Sequence, residues 1–451
     1  MTIRSRREFL GLMGRLAGAG LACERLGLVH ALAQSGAGCE GYKALVCVFL
    51  FGGNDAANTV IPVRGEQTYA DYARVRGPLA LAEDQLHLIQ TRQGGTVYGL
   101  HPRLSDLRTF YEQGRLAVVL NVGTLVAPMT RDQYRRPGAV VPANLFSHSD
   151  QQAQWQTSTP STMTPTGWGG RIADRSAQCN APATFPVVLS VAGNQAFGVG
   201  EQTRLATLIP NATMGLQGFG QTPNPRFNAY RRLLEFDNGL ALVQAANRTA
   251  EAGIDDAELI NRALAAPTGI TTAFPDTPLG RQLRTVARII EVRGATGLQR
   301  QVFFCSQGGY DTHQNQLGTH DTLLAQLNAA VAAFYNATVE LGAADLVTTF
   351  TASEFNRTAQ ANSSNGSDHG WGGHHLVLGG AVKGGDTYGR HPELALGGPD
   401  DANVRGVYIP SAGLDQYNAT LAAWFGLGPA GLAAVFPNLG NFASPDMGFM
   451  G

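Results

Sequence analysis

Five of the ten histidines lie between residues 313 and 375, each within two residues of an aspartate, a glycine or another histidine. Asp311 and His313 stand two apart behind a glycine pair, Asp368 and His369 are adjacent, and His374 and His375 follow a second glycine pair. Carboxylates and imidazoles grouped in this way are how a divalent-metal site is built. Asp55, in Gly52-Gly53-Asn54-Asp55, and Glu354, in Ser353-Glu354-Phe355, add two more carboxylates. Ser147 is the candidate nucleophile, in Phe146-Ser147-His148-Ser149-Asp150. Its spacing from Asp150 is close to a capping box, so a helix is expected to open there and present free amides to an anion. A hydroxyl in that position can attack phosphorus or bind a metal. Plainer readings stand beside these. Ser147 can be a simple N-cap, an aspartate after Gly-Gly a turn or cap residue, and a lone histidine such as His320 a hydrogen-bonded surface or core residue.

To converge, these residues must be delivered by regular elements. Short apolar runs read as buried parallel strands over Ala44–Phe51, Leu116–Asn121, Phe185–Val191, Gln301–Cys305, Leu346–Thr351 and His375–Leu378. Helical periodicity fills Pro102–Gln113, Arg226–Thr249, Thr277–Val292 and Thr322–Leu341. This alternation predicts a three-layer α/β sandwich with a mostly parallel central sheet. In open sheets of that kind ligands bind at the carboxyl ends of the strands, which is where Asp55, Asp311, His313 and Glu354 fall. The stretch 193–275 is less regular and reads as an insertion or cap. Residues 356–373 read as a site loop or lid, and the chain from Gly428 as an irregular surface tail.

The N-terminus reads as an address. Arg6 and Arg7 precede a mildly apolar, glycine-rich stretch, and Ala31-Leu32-Ala33 offers a cleavage site. This matches a twin-arginine export signal over residues 1–33, with the mature domain over 34–451, and predicts recognition by the translocase and a periplasmic or secreted product. The remaining cysteines are Cys39, Cys47, Cys179 and Cys305. Cys47 and Cys305 fall in strand-like runs as expected of buried thiols, while a Cys39–Cys179 bridge is conceivable. A formal net charge of −1 without any long basic stretch argues against nucleic acid as partner. The body has no apolar run long enough to span a membrane.

Arg6-Arg7, Phe51-Gly52-Gly53-Asn54-Asp55-Ala56-Ala57-Asn58, Ser147-His148-Ser149-Asp150, Thr166-Gly167-Trp168-Gly169-Gly170-Arg171, Gly309-Tyr310-Asp311-Thr312-His313, Ser353-Glu354-Phe355 and Asp368-His369-Gly370 occur in this order. Together they resemble an exported bacterial family of unassigned function within the alkaline phosphatase/sulfatase superfamily. The resemblance implies an alkaline-phosphatase-like fold and one or two divalent ions, with zinc, manganese and calcium all open. It implies that Asp55, Asp368 and His369 hold one ion together with the nucleophile. Asp311, His313 and a final histidine, His374 or His375, would hold another, and Glu354 resembles the carboxylate some members use for a third ion. The one-residue gap between Asp311 and His313 is shorter than the superfamily's usual spacing, and His374 lies closer to the Asp-His pair than its last histidine does. No cysteine begins the Cys-x-Pro-x-Arg or Cys-x-Ala-x-Arg run of formylglycine sulfatases. The expected function is metal-dependent hydrolysis of phosphate or related oxyanion esters, on a small molecule or a polysaccharide. The alternatives are a non-catalytic, metal-stabilised envelope or polysaccharide-binding protein, and a maturation partner for a co-exported protein.

Overall fold

The computed structural model describes residues 39–92, 94–160, 164–216, 218–219, 224–236 and 239–451. The expected export signal lies outside them. A nine-stranded sheet forms the centre. Its strands are β1 (Lys43–Leu50), β5 (Leu116–Gly123), β6 (Val188–Ser190), β7 (Leu205–Thr207), β8 (Arg300–Gln307), β9 (Val347–Ala352), β10 (Gly373–Gly379), β11 (Asp386–Tyr388) and β12 (Ala412–Gly413). Their order is β11-β5-β10-β9-β1-β8-β6-β7, with β12 also on β5. The strands β2 (Val60–Arg64), β3 (His87–Gln90) and β4 (Val97–Leu100) make a separate antiparallel sheet in the order β2-β4-β3.

Alternation along β1 shows why the fold has three layers. Ala44, Val46, Val48 and Leu50 face one hydrophobic cluster, and Leu45, Cys47 and Phe49 face the other. On the first face lie the helices Pro278–Glu291 and Gln316–Glu340. Pro278–Glu291 opens with a Thr277 cap on the Gly280 amide and buries Leu279, Leu283, Val286 and Ile290 at helical spacing. On the second face lie Trp155 of the helix His148–Thr157, Trp168 and Ile172 of Trp168–Arg175, and the helix Leu414–Phe425.

All six expected strands are in the central sheet. β10 departs from the parallel expectation, since it runs antiparallel to both β5 and β9. The chain passes from β9 to β10 through residues 353–372 without a crossover helix, and a return on the same edge reverses direction. Residues 193–275 supply the edge strand β7 and two helices, as expected of this stretch, Pro225–Leu234 and Ala241–Ala265; the helical run expected over 226–249 is divided between them. The chain after Gly428 is more ordered than expected. It forms the helix Pro429–Val435 and ends with Phe449 and Met450 buried in the second core. Cys39 and Cys179 form a disulfide, while Cys47 and Cys305 are buried thiols. Among the described residues no helix is long and apolar enough to cross a membrane.

Candidate metal centre

Because β1, β8 and β9 are parallel, their carboxyl ends open on one edge of the sheet, and antiparallel β10 begins at that same edge. The loops after β1 and β8 touch. Gly52 has φ +118°, and a Cβ on it would stand 2.2 Å from the Asp311 amide nitrogen, so only glycine lets the two loops close. A Cβ on Gly366 would similarly meet the His313 backbone at 2.1 Å, which locks the 356–373 segment against His313.

Three imidazoles converge on Asp311 Oδ1. His148 Nε2 lies 3.4 Å from it, His313 Nε2 3.0 Å and His369 Nε2 3.5 Å. The opposite nitrogen of each ring is already committed. His148 Nδ1 donates to Glu354 Oε1 at 2.8 Å, His313 Nδ1 to Asp368 Oδ1 at 3.1 Å, and His369 Nδ1 to the Phe146 carbonyl at 2.7 Å. Those acceptors assign the ring proton to Nδ1 and leave each Nε2 with a lone pair. His313 Nε2 and His369 Nε2 are 3.0 Å apart, where two lone pairs repel unless a cation sits between them. His148 Nε2 is buried and has no hydrogen-bond partner.

A transition-metal ion fits the donor set of His148, Asp311 and His369, with His313 Nε2 beside it. Ligands about 2.1 Å from a tetrahedral ion sit roughly 3.4 Å from one another, close to the 3.4 and 3.5 Å seen from Asp311 to His148 and His369. The ligand atoms of His148, Asp311 and His369 all fall within 4.8 Å of each other. Carboxylate and carbonyl acceptors on the far nitrogens are the usual supports of metal-binding imidazoles.

The charges around the cluster are arranged by arginines. Burial raises the Asp311 carboxyl, but the bond and charge of Arg357, together with His313 and His148, outweigh it and hold the group below its ordinary value. Arg357 is fully buried and donates from Nη1 to Asp311 Oδ1 at 2.8 Å. Asp368 is likewise held low: burial opposes, and bonds from Arg405, Asn362 and His313 prevail. Its Oδ2 lies 2.6 Å from Arg405 Nη1. The bond to Glu354 raises His148, whereas burial lowers His369.

The expected ligands therefore separate. Asp311, His313 and His369 come together, and His148 joins them. Asp368 supports His313. Glu354 is not at the centre; it accepts from the Gly52 amide, His148 and Gln152, all at 2.8 Å, and so orients His148. Asp55 is buried on Arg76 Nη2 at 2.5 Å and also accepts from Gln316, which spends its charge inside the fold. His374 is not at the centre either. It lies within the sheet, where its Nδ1 accepts from the Asn121 amide at 3.0 Å, and His375 packs between Trp155 and Tyr417. Both side chains are carried into the interior because β10 begins at Gly373.

Ser147 occupies the N-cap position of His148–Thr157, but its side chain caps no backbone amide. Its hydroxyl donates to Asp150 Oδ2 at 2.5 Å and lies 3.2 Å from Ser149 Oγ. Thr124 is buried against Gln151, and Thr130 caps a short helix with Gln133. The residue that sequence reasoning passed over is His148, next to Ser147 in the same motif. Phe146 carries φ +70°, a strained left-handed conformation for an aromatic residue, and its carbonyl thereby reaches His369.

The fold and this cluster define a mixed α/β protein with a histidine-rich centre at the strand ends of a mostly parallel sheet. Residues 42–405 match the family described as "Protein of unknown function (DUF1501)", and the chain belongs to that family. No curated protein matches it. Several solved structures are similar to it at 8–10% identity. They include Ps i-CgsB in complex with k-i-k-neocarrahexaose, at 9% identity and TM-score 0.36 over 86% of this chain and 73% of that one. The lipoteichoic acid synthase LtaP from Listeria monocytogenes is similar at 8% identity and TM-score 0.33, over 87% of this chain and 74% of that one. The phosphonate monoester hydrolase of Agrobacterium radiobacter is similar at 9% identity and TM-score 0.33, over 86% of this chain and 74% of that one. At such TM-scores no residue role passes from them to this chain.

Proposed function

We propose that the protein is an exported, metal-dependent hydrolase of phosphate or related oxyanion esters, built on one transition-metal centre. The observation that carries this is the convergence of three Nε2 atoms on Asp311 Oδ1 with every Nδ1 already occupied. A set of imidazole nitrogens with one carboxylate favours zinc or a neighbouring transition metal over calcium, which takes oxygen ligands. Three neutral imidazoles with the Asp311–Arg357 pair sum to no net charge, so a divalent ion there would leave a positive centre able to attract an anionic ester. Such an ion would supply Lewis-acid polarisation of the ester oxygen.

The protein's own groups do the rest. Ser147 Oγ attacks the ester phosphorus or sulfur, its proton passes to Asp150 Oδ2, and the bond to the leaving oxygen breaks with its electron pair. Water then cleaves the Ser147 ester and restores the hydroxyl. Bonds from Ser147 and then Asn144 hold Asp150 ionised, with its Oδ2 already on the Ser147 hydroxyl. Arg405, 38% exposed, is tied to the cluster through Asp368, which supports His313. Export is supported by Arg6-Arg7 and by the Cys39–Cys179 disulfide, a bond that persists in oxidising compartments.

A second reading, a metal-stabilised binding protein without turnover, is favoured by one feature: the Ser147 hydroxyl bonds Asp150 and Ser149 and no member of the cluster. Metal analysis of the purified protein, with turnover of phosphomonoesters, phosphodiesters and sulfate esters before and after chelation, decides between the two. Bound metal with chelator-sensitive turnover is expected. Bound metal without turnover supports the binding protein, and absence of bound metal defeats both readings.

A further inference from the structure

We propose that Asp55 is a positioning residue, not a ligand: through a buried hydrogen-bonded chain it holds Arg357, and so Asp311, in place for the cation. This rests on the metal-centre reading above. Asp55 Oδ2 accepts from Arg76 Nη2 and from Gln316 Nε2. Gln316 Oε1 accepts from the Ser367 hydroxyl, and the Ser367 carbonyl accepts from Arg357 Nη2. Arg357 Nη1 then donates to Asp311 Oδ1 at 2.8 Å and to the Gly52 carbonyl at 3.1 Å. Every intermediate is sealed from solvent, with Arg76 and Asp55 at 1% exposure and Gln316, Ser367 and Arg357 at 0%.

Asp55 is not among the residues whose ligand atoms gather with Asp311, and two features hold its Oδ2 away from a cation. Its Oδ2 is already shared by two donors, and Arg76 cannot swing away. The Arg76 guanidinium is also bound to Asn58 Oδ1 at 3.0 Å and to the carbonyls of Thr358 and Ala359 at 3.1 and 3.0 Å. The second Asp55 oxygen is buried without a partner. A carboxylate so placed is costly unless its charge is used elsewhere. Arg76 pairs with that charge directly, and Arg357 also feels it. Burial favours its neutral form, and the carboxylates of Asp311, Asp55 and Asp368 hold it ionised. Without the Asp55 charge, Arg357 would lean harder on Asp311 and draw that oxygen's charge away from the ion.

The test is Co(II) affinity, by competition with a chromophoric chelator, for the wild type, Asp55→Asn, Gln316→Met and the double variant. The visible spectrum of each Co(II) form and its melting temperature are recorded alongside. Loss of an outer support costs about 10–100-fold in affinity, and that loss is expected in each single variant with an unchanged Co(II) spectrum. The double variant should fall no further than the weaker single one, because both cut the same chain. An altered spectrum in Asp55→Asn would make it a ligand and overturn the proposal. Wild-type affinity in Gln316→Met, with only its melting temperature lowered, would reduce the chain to packing and overturn it too. Should Asp55→Asn fail to fold, Gln316→Met alone decides. Failure of the wild type to bind Co(II) would remove the metal centre itself, and this proposal with it.

Discussion

Seven of the nine described histidines fall into two settings, and the contrast says more than either alone. His101, His320, His374 and His375 are interior residues, 1–6% exposed. Burial pushes His101, His320 and His375 down to about 3 and His374 well below its ordinary value. They are neutral packing units with local partners, as His320 is with Asn54 at 3.0 Å and His101 at its ring edge. His148, His313 and His369 stand at the strand ends, 24–44% exposed, with carboxylates beside them. There the fold fixes the far nitrogen and leaves the near one unspent. An imidazole becomes a ligand through what its second nitrogen is doing, not through being near other histidines.

The sharpest attack on this contrast is Asp311→Ala, which removes the one oxygen shared by the three rings. Bound metal should drop by more than about 100-fold, read by elemental analysis, since a direct ligand and its charge are lost. Full metal content in that variant would dissolve the centre into ordinary polar surface. Next in size is Ser147→Ala. Ester turnover should fall at least about 100-fold with the nucleophile gone, while the melting temperature moves less than about 2 °C, because the side chain caps no amide. Activity that merely follows stability across Ser147→Ala and Ser147→Thr would unseat the serine.

The interior set predicts a pH effect. His101, His320 and His375 have folded values near 3 against roughly 6.5 in the unfolded chain. Between those limits the unfolded state binds more protons, so stability is full above about 6.5 and is lost as the pH falls toward 3. Asp415, raised to about 7 chiefly by burial, works in the opposite direction between its unfolded value and 7. Replacing His375 with Phe should flatten the acid limb by up to about 1.4 kcal/mol per pH unit, measured as urea midpoints at several pH values. An unchanged slope would mean that His375 is protonated inside the fold. The smallest effect is a deliberate null: His374→Gln should leave metal content at the wild-type level, and a fall would move His374 into the centre.

Much of the fold could be read from the chain because its six expected strands are short runs rich in apolar and β-branched residues, and such runs announce themselves. The direction of β10 could not, since an apolar run has no polarity; it depends on how the 353–372 segment returns. The strands β2, β3 and β4 are 4–5 residues long, and β2 contains Pro62, so they carry little pattern. At the site, Asp311, His313 and His369 were legible because glycine pairs and strand ends mark them. Asp55 looks the same locally, yet its fate is decided by Arg76, 21 residues away on another helix. Asp311 and Asp368 likewise meet arginines 46 and 37 residues distant. Whether a carboxylate meets a metal or a guanidinium is a tertiary fact. His148 was missed although it stood in plain sight, because a helix start draws attention to its cap.

The centre draws on residues 148, 311, 313 and 369, and the strand that follows the last of them is inserted between β5 and β9. A growing chain therefore has no complete seat for an ion until synthesis has passed residue 369 and the middle of the sheet has closed. If the centre holds an ion, that ion is taken up late, from whichever ion pool surrounds the chain at that moment. A precursor translocated already folded would carry the interior's metal outward with it. One threaded through unfolded would have to take what the outside offers.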